Sequence, residues 1–251
     1  MTAEFIIEAR GLTKEFKGFR AVKDVDLRVR TGTIHALIGP NGAGKTTCFN
    51  LMTKFLQPTS GSIFYKGEDI THAKAFEVAR KGLVRSFQIS AVFPHLTVLE
   101  NVRVALQRSL GTTFHFWRPE QSVEVLDDRA RELIDAVGLA GTEDLQAVGL
   151  SYGRKRQLEI ATTLALDPEL MLLDEPMAGM AREDIQRITD LIRSIAKSRT
   201  VLMVEHNMSV VAELSDTITV LARGEVLAEG PYEEVSKNPA VIDAYMGTGD
   251  V

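Results

Sequence analysis

A glycine-rich segment between an apolar strand and a helix constrains the fold of this chain more than any other feature. Residues 39–46 read Gly-Pro-Asn-Gly-Ala-Gly-Lys-Thr, which fits the phosphate-loop pattern of glycine, four residues, glycine, lysine and serine or threonine. A mostly apolar run at 33–38 precedes it and a helical pattern at 47–52 follows, in the strand, loop, helix order that the motif requires. The pattern therefore predicts a nucleoside triphosphate site on an α/β fold.

Each residue type in this segment suits the binding of phosphate. Glycine takes backbone dihedrals that are closed to other residues, so successive N–H groups can turn toward phosphate oxygens. We expect Lys45 to reach the β- and γ-phosphates of a nucleoside triphosphate, the Thr46 hydroxyl to ligate Mg²⁺, and the helix to direct its positive end at the anion. The predicted nucleotide ligands here are Gly39, Pro40, Asn41, Gly42, Ala43, Gly44, Lys45, Thr46 and Thr47.

Composition narrows the class of protein. A formal charge of −5 argues against general nucleic-acid binding, which needs a basic surface to neutralise phosphates. The single cysteine, Cys48, is expected to be a small buried packing residue rather than a reactive thiol, and it fits a reducing compartment. The start of the chain is predicted to be neither a signal peptide nor a spanning helix, because its apolar run is short and acidic residues interrupt it.

The first half of the chain changes from strand patterns to helical patterns. Alternation at 5–9 and 25–29 predicts strands of an antiparallel sheet, and 61–65 predicts another. After residue 88, helical patterns occur near 97–108 and 124–137. The stretch from Ser109 to Ser122 between them is rich in turn residues, so we interpret this region as a helical insertion.

The second half returns to alternating helices and apolar strands. Strands are predicted at 170–174 and 200–205, with a hairpin around Arg223-Gly224 and a small helical tail after it. Helices that alternate with buried apolar strands predict a mostly parallel sheet, here a P-loop NTPase core with an antiparallel β subdomain and an inserted helical subdomain. We predict one domain, with the nucleotide-binding core at 1–88 and 160–251 and the insertion at 89–159.

Two carboxylates follow the apolar strand at 170–174. The carboxyl ends of strands are where ligands lie in open parallel sheets, so Asp174 is placed to hold Mg²⁺ and Glu175 to orient or deprotonate the attacking water. An acidic turn after a strand is the alternative, and it would be preferred if this pair stood alone. The phosphate loop in the same chain favours the catalytic interpretation.

The segment Leu150-Ser151-Tyr152-Gly153-Arg154 lies directly before an amphipathic helix, and by itself it indicates only a helix cap and a turn. Together with the phosphate loop, Gln88, Asp174-Glu175-Pro176 and His206, in that order, it resembles the ATP-binding subunits of ABC transporters over nearly the entire chain. The resemblance implies that Ser151 and Gly153 contact the γ-phosphate held by an opposite subunit. The working site would then form between two nucleotide-bound chains.

The resemblance also implies roles for residues that mean little in isolation. Phe16 resembles the aromatic residue that stacks on adenine; Phe19 is the nearby competitor, and strand packing is the alternative for both. His206 resembles the switch histidine that hydrogen-bonds the γ-phosphate, on a strand expected to lie beside the one that ends in Asp174. The implied catalytic residues are Lys45, Gln88, Glu175 and His206, and the implied Mg²⁺ contacts are Thr46, Gln88 and Asp174.

Short strings at 96–101, 204–208 and 238–245 resemble the subgroup that energises import of branched-chain amino acids. The implied partners are a second ATP-binding subunit, transmembrane permease subunits and, indirectly, a solute-binding protein, with no nucleic acid; the implied location is the cytoplasmic face of the cell membrane. Phe93 and Leu96 are candidates for a groove that receives a permease helix, with core packing as the alternative. A urea or amide importer and a soluble ABC-type nucleotide switch remain the alternative functions.

Ala181 departs from the family pattern, which commonly has aspartate or asparagine in the loop after the catalytic glutamate. Because alanine has no polar side-chain atom to bond across a dimer, we expect weaker communication between the two nucleotide sites than is usual in the family. The substitution Ala181→Asp should therefore raise the ATPase rate or its cooperativity in ATP, measured by phosphate release. Unchanged rate and cooperativity would contradict this expectation.

Overall fold

The computed structural model describes residues 4–86, 92–107 and 121–246, which form ten strands and nine α-helices. The strands are β1 (Phe5–Phe16), β2 (Phe19–Arg30), β3 (Ile34–Ile38), β4 (Ser60–Tyr65), β5 (Glu68–Asp69), β6 (Leu83–Ser86), β7 (Leu170–Asp174), β8 (Thr200–Val204), β9 (Thr217–Ala222) and β10 (Glu225–Gly230). The helices are α1 (Lys45–Met52), α2 (Ala75–Arg80), α3 (Val98–Gln107), α4 (Gln121–Ala136), α5 (Tyr152–Leu164), α6 (Arg182–Ala196), α7 (Met208–Leu214), α8 (Tyr232–Val235) and α9 (Pro239–Met246).

The strands form two sheets. The larger has the order β10-β9-β3-β8-β7-β6, in which every neighbouring pair is parallel except β10 with β9. The smaller is antiparallel, with the order β2-β1-β4-β5. Every residue of β3, β7 and β8 is buried, as expected for central strands of a parallel sheet covered on both faces.

Alternate residues of the central strands belong to two different cores. Met171 and Leu173 of β7 pack into a core with α3 to α7, whereas Leu170 and Leu172 pack into a core with α1 and the antiparallel sheet. Strand β8 divides in the same way. The period of two along each strand thus explains how one sheet holds a helical layer on one face and a β layer on the other.

The predicted α/β class, with a mostly parallel sheet, an antiparallel β layer and helices, is confirmed. Four elements were not predicted: β5, β6, α2 and α7. Several boundaries were also wrong. Strands β1 and β2 extend well beyond the predicted 5–9 and 25–29, β8 ends at Val204 rather than Glu205, and α4 already includes residues 121 and 122. The rest of the predicted turn-rich stretch, 109–120, lies outside the described residues.

Within the described ranges, every helix is too short or too polar to cross a lipid bilayer. Cys48 lies in α1 and is buried, as predicted. Burial raises the pKa of its thiol to about 12, because the thiolate would be desolvated there.

A buried histidine links three strands of the large sheet. The Nε2 of His35 in β3 lies 2.7 Å from the Thr219 hydroxyl in β9, and that hydroxyl donates to Glu229 in β10 at 2.6 Å. Since the hydroxyl hydrogen goes to Glu229, Nε2 is the donor toward Thr219. Among the described residues, none pairs with the buried Nδ1, and burial lowers the pKa of His35 to about 4.

We predict that this histidine makes the fold sensitive to acid. The unfolded chain takes up a proton near pH 6.5 and the folded chain only near pH 4, so the stabilisation by neutral His35 is complete above pH 6.5 and is lost as the pH falls toward 4. The lost free energy of unfolding is about 3 kcal/mol. Denaturant titrations of the wild type and of His35→Gln, which keeps a donor to Thr219 but does not titrate, should diverge over this range. Parallel pH curves would contradict the prediction.

Candidate functional site

The register of three parallel strands brings distant segments to one edge of the sheet. Leu37 of β3 lies beside Val204 of β8, and Val204 lies beside Asp174 of β7. The phosphate loop begins two residues after Leu37, His206 lies two residues after Val204, and Glu175 follows Asp174. The predicted adjacency of the strands that lead to Asp174 and His206 is confirmed.

Close backbone contacts require glycine at two positions of the phosphate loop. A Cβ atom on Gly39, which has a φ of 151°, would lie 2.1 Å from the Leu221 carbonyl oxygen of β9. A Cβ atom on Gly44, with a φ of 100°, would lie 2.5 Å from the carbonyl oxygen of Ala21 in β2. The loop is therefore seated between the two sheets, and side chains are excluded from its contacts with them.

The helix that starts at Lys45 has a free N-terminus. Within this fully described helix, no side chain caps the first turn and no acidic residue lies in it. Its first backbone N–H groups and the positive end of the helix dipole therefore remain available to an anion. The start of α1 is therefore suited to binding a phosphate group.

The Lys45 side chain folds back over the first residues of the phosphate loop. Its ammonium group donates to the carbonyl oxygens of Gly39 at 2.6 Å and of Pro40 at 3.0 Å. Burial lowers the pKa of Lys45, and the negative charge of Glu175 acts against that shift. Lys45 and Glu175, which are 130 positions apart in the sequence, thus share one electrostatic environment.

Asp174 is held by two arginines that the sequence did not single out. Its Oδ2 accepts a hydrogen bond from Arg85 Nη2 of β6 at 2.5 Å, and its backbone carbonyl accepts one from Arg156 Nη2 of α5 at 3.3 Å. The carboxylate is buried, with 7% of the residue exposed. A buried carboxylate with one oxygen engaged is placed to offer the other to a cation.

Glu175 and His206 lie at the open end of the site. The Glu175 N–H continues the sheet by donating to the Val204 carbonyl at 2.9 Å, and its φ of 44° turns the chain out of the strand. His206 Nδ1 lies 3.9 Å from Glu175 Oε1, and the His206 side chain is 63% exposed. Both groups therefore remain accessible beside the buried Asp174.

Glu205, which was assigned to the end of a strand, instead ties two site loops together. Its carboxylate is 1% exposed and accepts backbone hydrogen bonds from Met177 at 3.0 Å, His206 at 2.9 Å and Asn207 at 3.1 Å. The signal in the sequence was an acidic residue directly after the apolar run 201–204. Through these bonds, Glu205 fixes the segment after Glu175 relative to the segment that contains His206.

The remaining predicted residues lie at the ends of other elements. Phe16 and Phe19 flank the turn between β1 and β2 and are 42% and 66% exposed, so neither is a core residue. Ser151 caps α5, accepting from the Arg154 N–H at 3.4 Å. A Cβ atom at Gly153 would lie 2.5 Å from the Asp184 carboxyl carbon of α6. Gln88 lies outside the described residues.

Ala181 is the N-cap residue of α6, and within that described turn no side chain bonds the first N–H groups. The Ala181 side chain therefore has no polar atom that could cap its own helix or form a hydrogen bond with a neighbouring subunit. Aspartate or asparagine in this position would commonly stabilise a helix by about 1 kcal/mol.

Comparison with known proteins places the whole chain within one group. The profile of the ABC transporter family matches residues 22–178, and that of the branched-chain amino acid ATP-binding cassette transporters matches residues 225–251. The chain is 39% identical to BraF of Pseudomonas aeruginosa, described as a high-affinity branched-chain amino acid transport ATP-binding protein, with 96% of this chain and 98% of that protein covered. It is 38% identical to LivG of Escherichia coli, which carries the same description, over the same shares.

Solved structures show the same architecture. The ADP conformation of MJ1267, an ATP-binding cassette of an ABC transporter, superposes with a TM-score of 0.85 at 29% identity, covering 97% of this chain and 99% of that one. A nucleotide-free ATP-binding cassette from an ABC transporter gives a TM-score of 0.84 at 27% identity, covering 96% and 98%.

We predict that Glu205→Gln lowers the free energy of unfolding by about 2 kcal/mol, because an amide offers one acceptor oxygen to three N–H donors. Hydrogen exchange at the amides of Met177, His206 and Asn207 should accelerate in the same variant. Glu183→Gln, at an exposed position of α6, is the matched control and should leave both measurements unchanged. A Glu205→Gln protein as stable as the wild type would show that these bonds do not hold the loops.

Proposed function

The chain belongs to the ABC transporter family of ATP-binding proteins, and from that membership we propose that it hydrolyses ATP to energise the import of branched-chain amino acids. The observation that carries the proposal is the register of β3, β8 and β7, which collects the phosphate loop, His206 and two carboxylates at one edge of the sheet. The solute follows from the descriptions of the relatives, because the residues at this edge suit ATP.

ATP would bind along residues 39–47, with backbone N–H groups of the loop and of the start of α1 on its phosphates. Lys45 already lies over the loop through its bonds to Gly39 and Pro40, and it would exchange those carbonyls for the β- and γ-phosphate oxygens. Phe16 is our choice for the residue that stacks on adenine. Phe19, which is more exposed, is the alternative.

The donor set also fits Mg²⁺, which prefers oxygen ligands and is commonly held by one or two carboxylates together with substrate phosphates. Thr46, exposed at the start of α1, and Asp174 would hold it, with Gln88 as a further contact outside the described residues. When bound, the ion would neutralise charge on the β- and γ-phosphates. Thr46 would direct its hydroxyl, and Asp174 its carboxylate, toward that one position.

Glu175 is the proposed general base. Its accessible carboxylate would orient or deprotonate a water molecule, whose oxygen attacks the γ-phosphorus while the bond to the bridging oxygen breaks, giving ADP and phosphate. His206, 3.9 Å from Glu175, would donate a hydrogen bond to the γ-phosphate. The loop bonds of Glu205 keep these two residues adjacent.

The complete site is proposed to need two chains. Ser151 and Gly153, at the N-terminus of α5, would contact the γ-phosphate on a second ATP-binding subunit, either identical or homologous. Closure of the pair when ATP binds, and separation after hydrolysis, would shift the populations of two states. Ala181 would weaken the coupling between the two sites.

We place the contact with the permease at the loop before α3. Phe93 is 53% exposed, and the buried side chain of Asn101 fixes the backbone beneath it, accepting from the Phe93 N–H at 2.7 Å and donating to its carbonyl at 3.1 Å. A held loop that presents an aromatic side chain suits a helix of a membrane subunit. The chain would then lie on the cytoplasmic face of the membrane, reach a solute-binding protein only indirectly and bind no nucleic acid.

The division into a core at 1–88 and 160–251 and an insertion at 89–159 remains part of this proposal. Helix α5 runs through its second boundary, at 159/160, so one rigid element would join the segment 150–154 to the core.

We predict that Glu175→Gln lowers the rate of ATP hydrolysis by about 10²- to 10⁴-fold, because the general base is lost, while ATP affinity stays within about twofold. Phosphate release and ATP binding should be measured on the same preparations, with Glu183→Gln as the control. Wild-type protein that binds ATP without hydrolysing it would contradict the proposed function. A fully active Glu175→Gln variant would contradict only the role of Glu175.

A further inference from the structure

Arg85, in strand β6, joins two elements of the site through one side chain. Its Nη1 donates to Asn50 Oδ1 of α1 at 2.5 Å, and its Nη2 donates to Asp174 Oδ2 of β7 at 2.5 Å. Both carboxylate and guanidinium are largely buried, with 10% and 15% of the two side chains exposed. This is a short, planar, charge-assisted bridge between a helix and a strand end.

Asn50 marks the face of α1 that carries Thr46. The two residues are four positions apart in one helix, so their side chains lie on the same face, one turn apart. A bridge from Asn50 to Asp174 therefore sets the separation between that face and the carboxyl end of β7. Thr46 and Asp174 are the two residues that we propose to hold Mg²⁺.

Aromatic rings hold the guanidinium in this position. Its central carbon lies 5.0 Å from the centre of the Phe49 ring and 5.6 Å from that of the Phe55 ring. Within the described residues, none accepts from the buried Arg85 Nε, so the two terminal nitrogens alone fix the hydrogen-bonding geometry. The side chain is thus constrained by stacking and by its two bonds rather than by a wider network.

Building on the proposed function, we propose that Arg85 is a positioning residue of the Mg²⁺ site. It fixes the Asp174 carboxylate through Oδ2 and keeps the face of α1 that carries Thr46 at a set distance from that carboxylate. Lysine would keep the charge but lacks the planar fork that bonds Asn50 and Asp174 together. Mutation of a residue that hydrogen-bonds a metal ligand in this way typically lowers metal affinity by about 10- to 100-fold.

The test measures how strongly Mg²⁺ tightens nucleotide binding. Calorimetric titrations with the β,γ-imido analogue of ATP give a dissociation constant in EDTA and another in Mg²⁺, and their ratio is the metal-dependent factor. In Arg85→Lys that factor should fall at least about 10-fold, while the constant in EDTA changes less than about twofold. Asn50→Leu, which removes one end of the bridge and leaves the ion pair, should lower the factor in the same direction.

Arg103→Lys is the matched control, because Arg103 forms a similar two-nitrogen bridge to Asp127 between α3 and α4, away from the phosphate loop. It should lower thermal stability without changing the metal-dependent factor. If Arg85→Lys and Asn50→Leu behave in the same way as this control, Arg85 is only structural and the inference is overturned. A wild-type chain that binds the analogue in neither buffer would instead contradict the proposed ATP site, and this inference with it.

Discussion

The parallel pairing of β3, β8 and β7 in one register is the constraint on which the site depends. A slip of one residue would exchange the side chains that face the helical layer with those that face the antiparallel sheet. Both layers are filled by apolar residues in alternation, as with Leu172 and Leu173 of β7, so packing on two faces opposes any slip. The position of the phosphate loop relative to Asp174 is therefore set by core packing, before any polar contact is considered.

Buried charged side chains then fix the loops relative to the strands. Glu205 bonds backbone N–H groups on both sides of the β7–β8 edge, and Arg85 connects the same edge to α1. Each buried charge has close polar partners, as the cost of desolvation requires. The loops at this edge are consequently fixed by a few directional bonds, while Glu175 and His206 stay accessible.

The phosphate loop, the parallel sheet and the adjacency of the strands before Glu175 and His206 could be predicted from the sequence, because these features depend on local patterns and on a general rule of parallel sheets. The contacts of Arg85 and Glu205 could not be predicted. The partners of Arg85 lie 35 and 89 positions away. The partners of Glu205 lie up to 28 positions away, and the three described above are backbone N–H groups, which have no sequence signature. Strand β6 was missed for a related reason: four residues with an arginine among them show no clear period.

Cys48 can serve as a built-in probe of local unfolding around α1. It is the only cysteine, it is buried in α1 three residues after Lys45, and its thiol remains protonated at neutral pH. Alkylating reagents attack the thiolate of an accessible cysteine, so labelling requires the helix behind the phosphate loop to separate from the sheets. The rate of labelling by such a reagent thus reports how often this part of the molecule unfolds locally, without any engineered dye site.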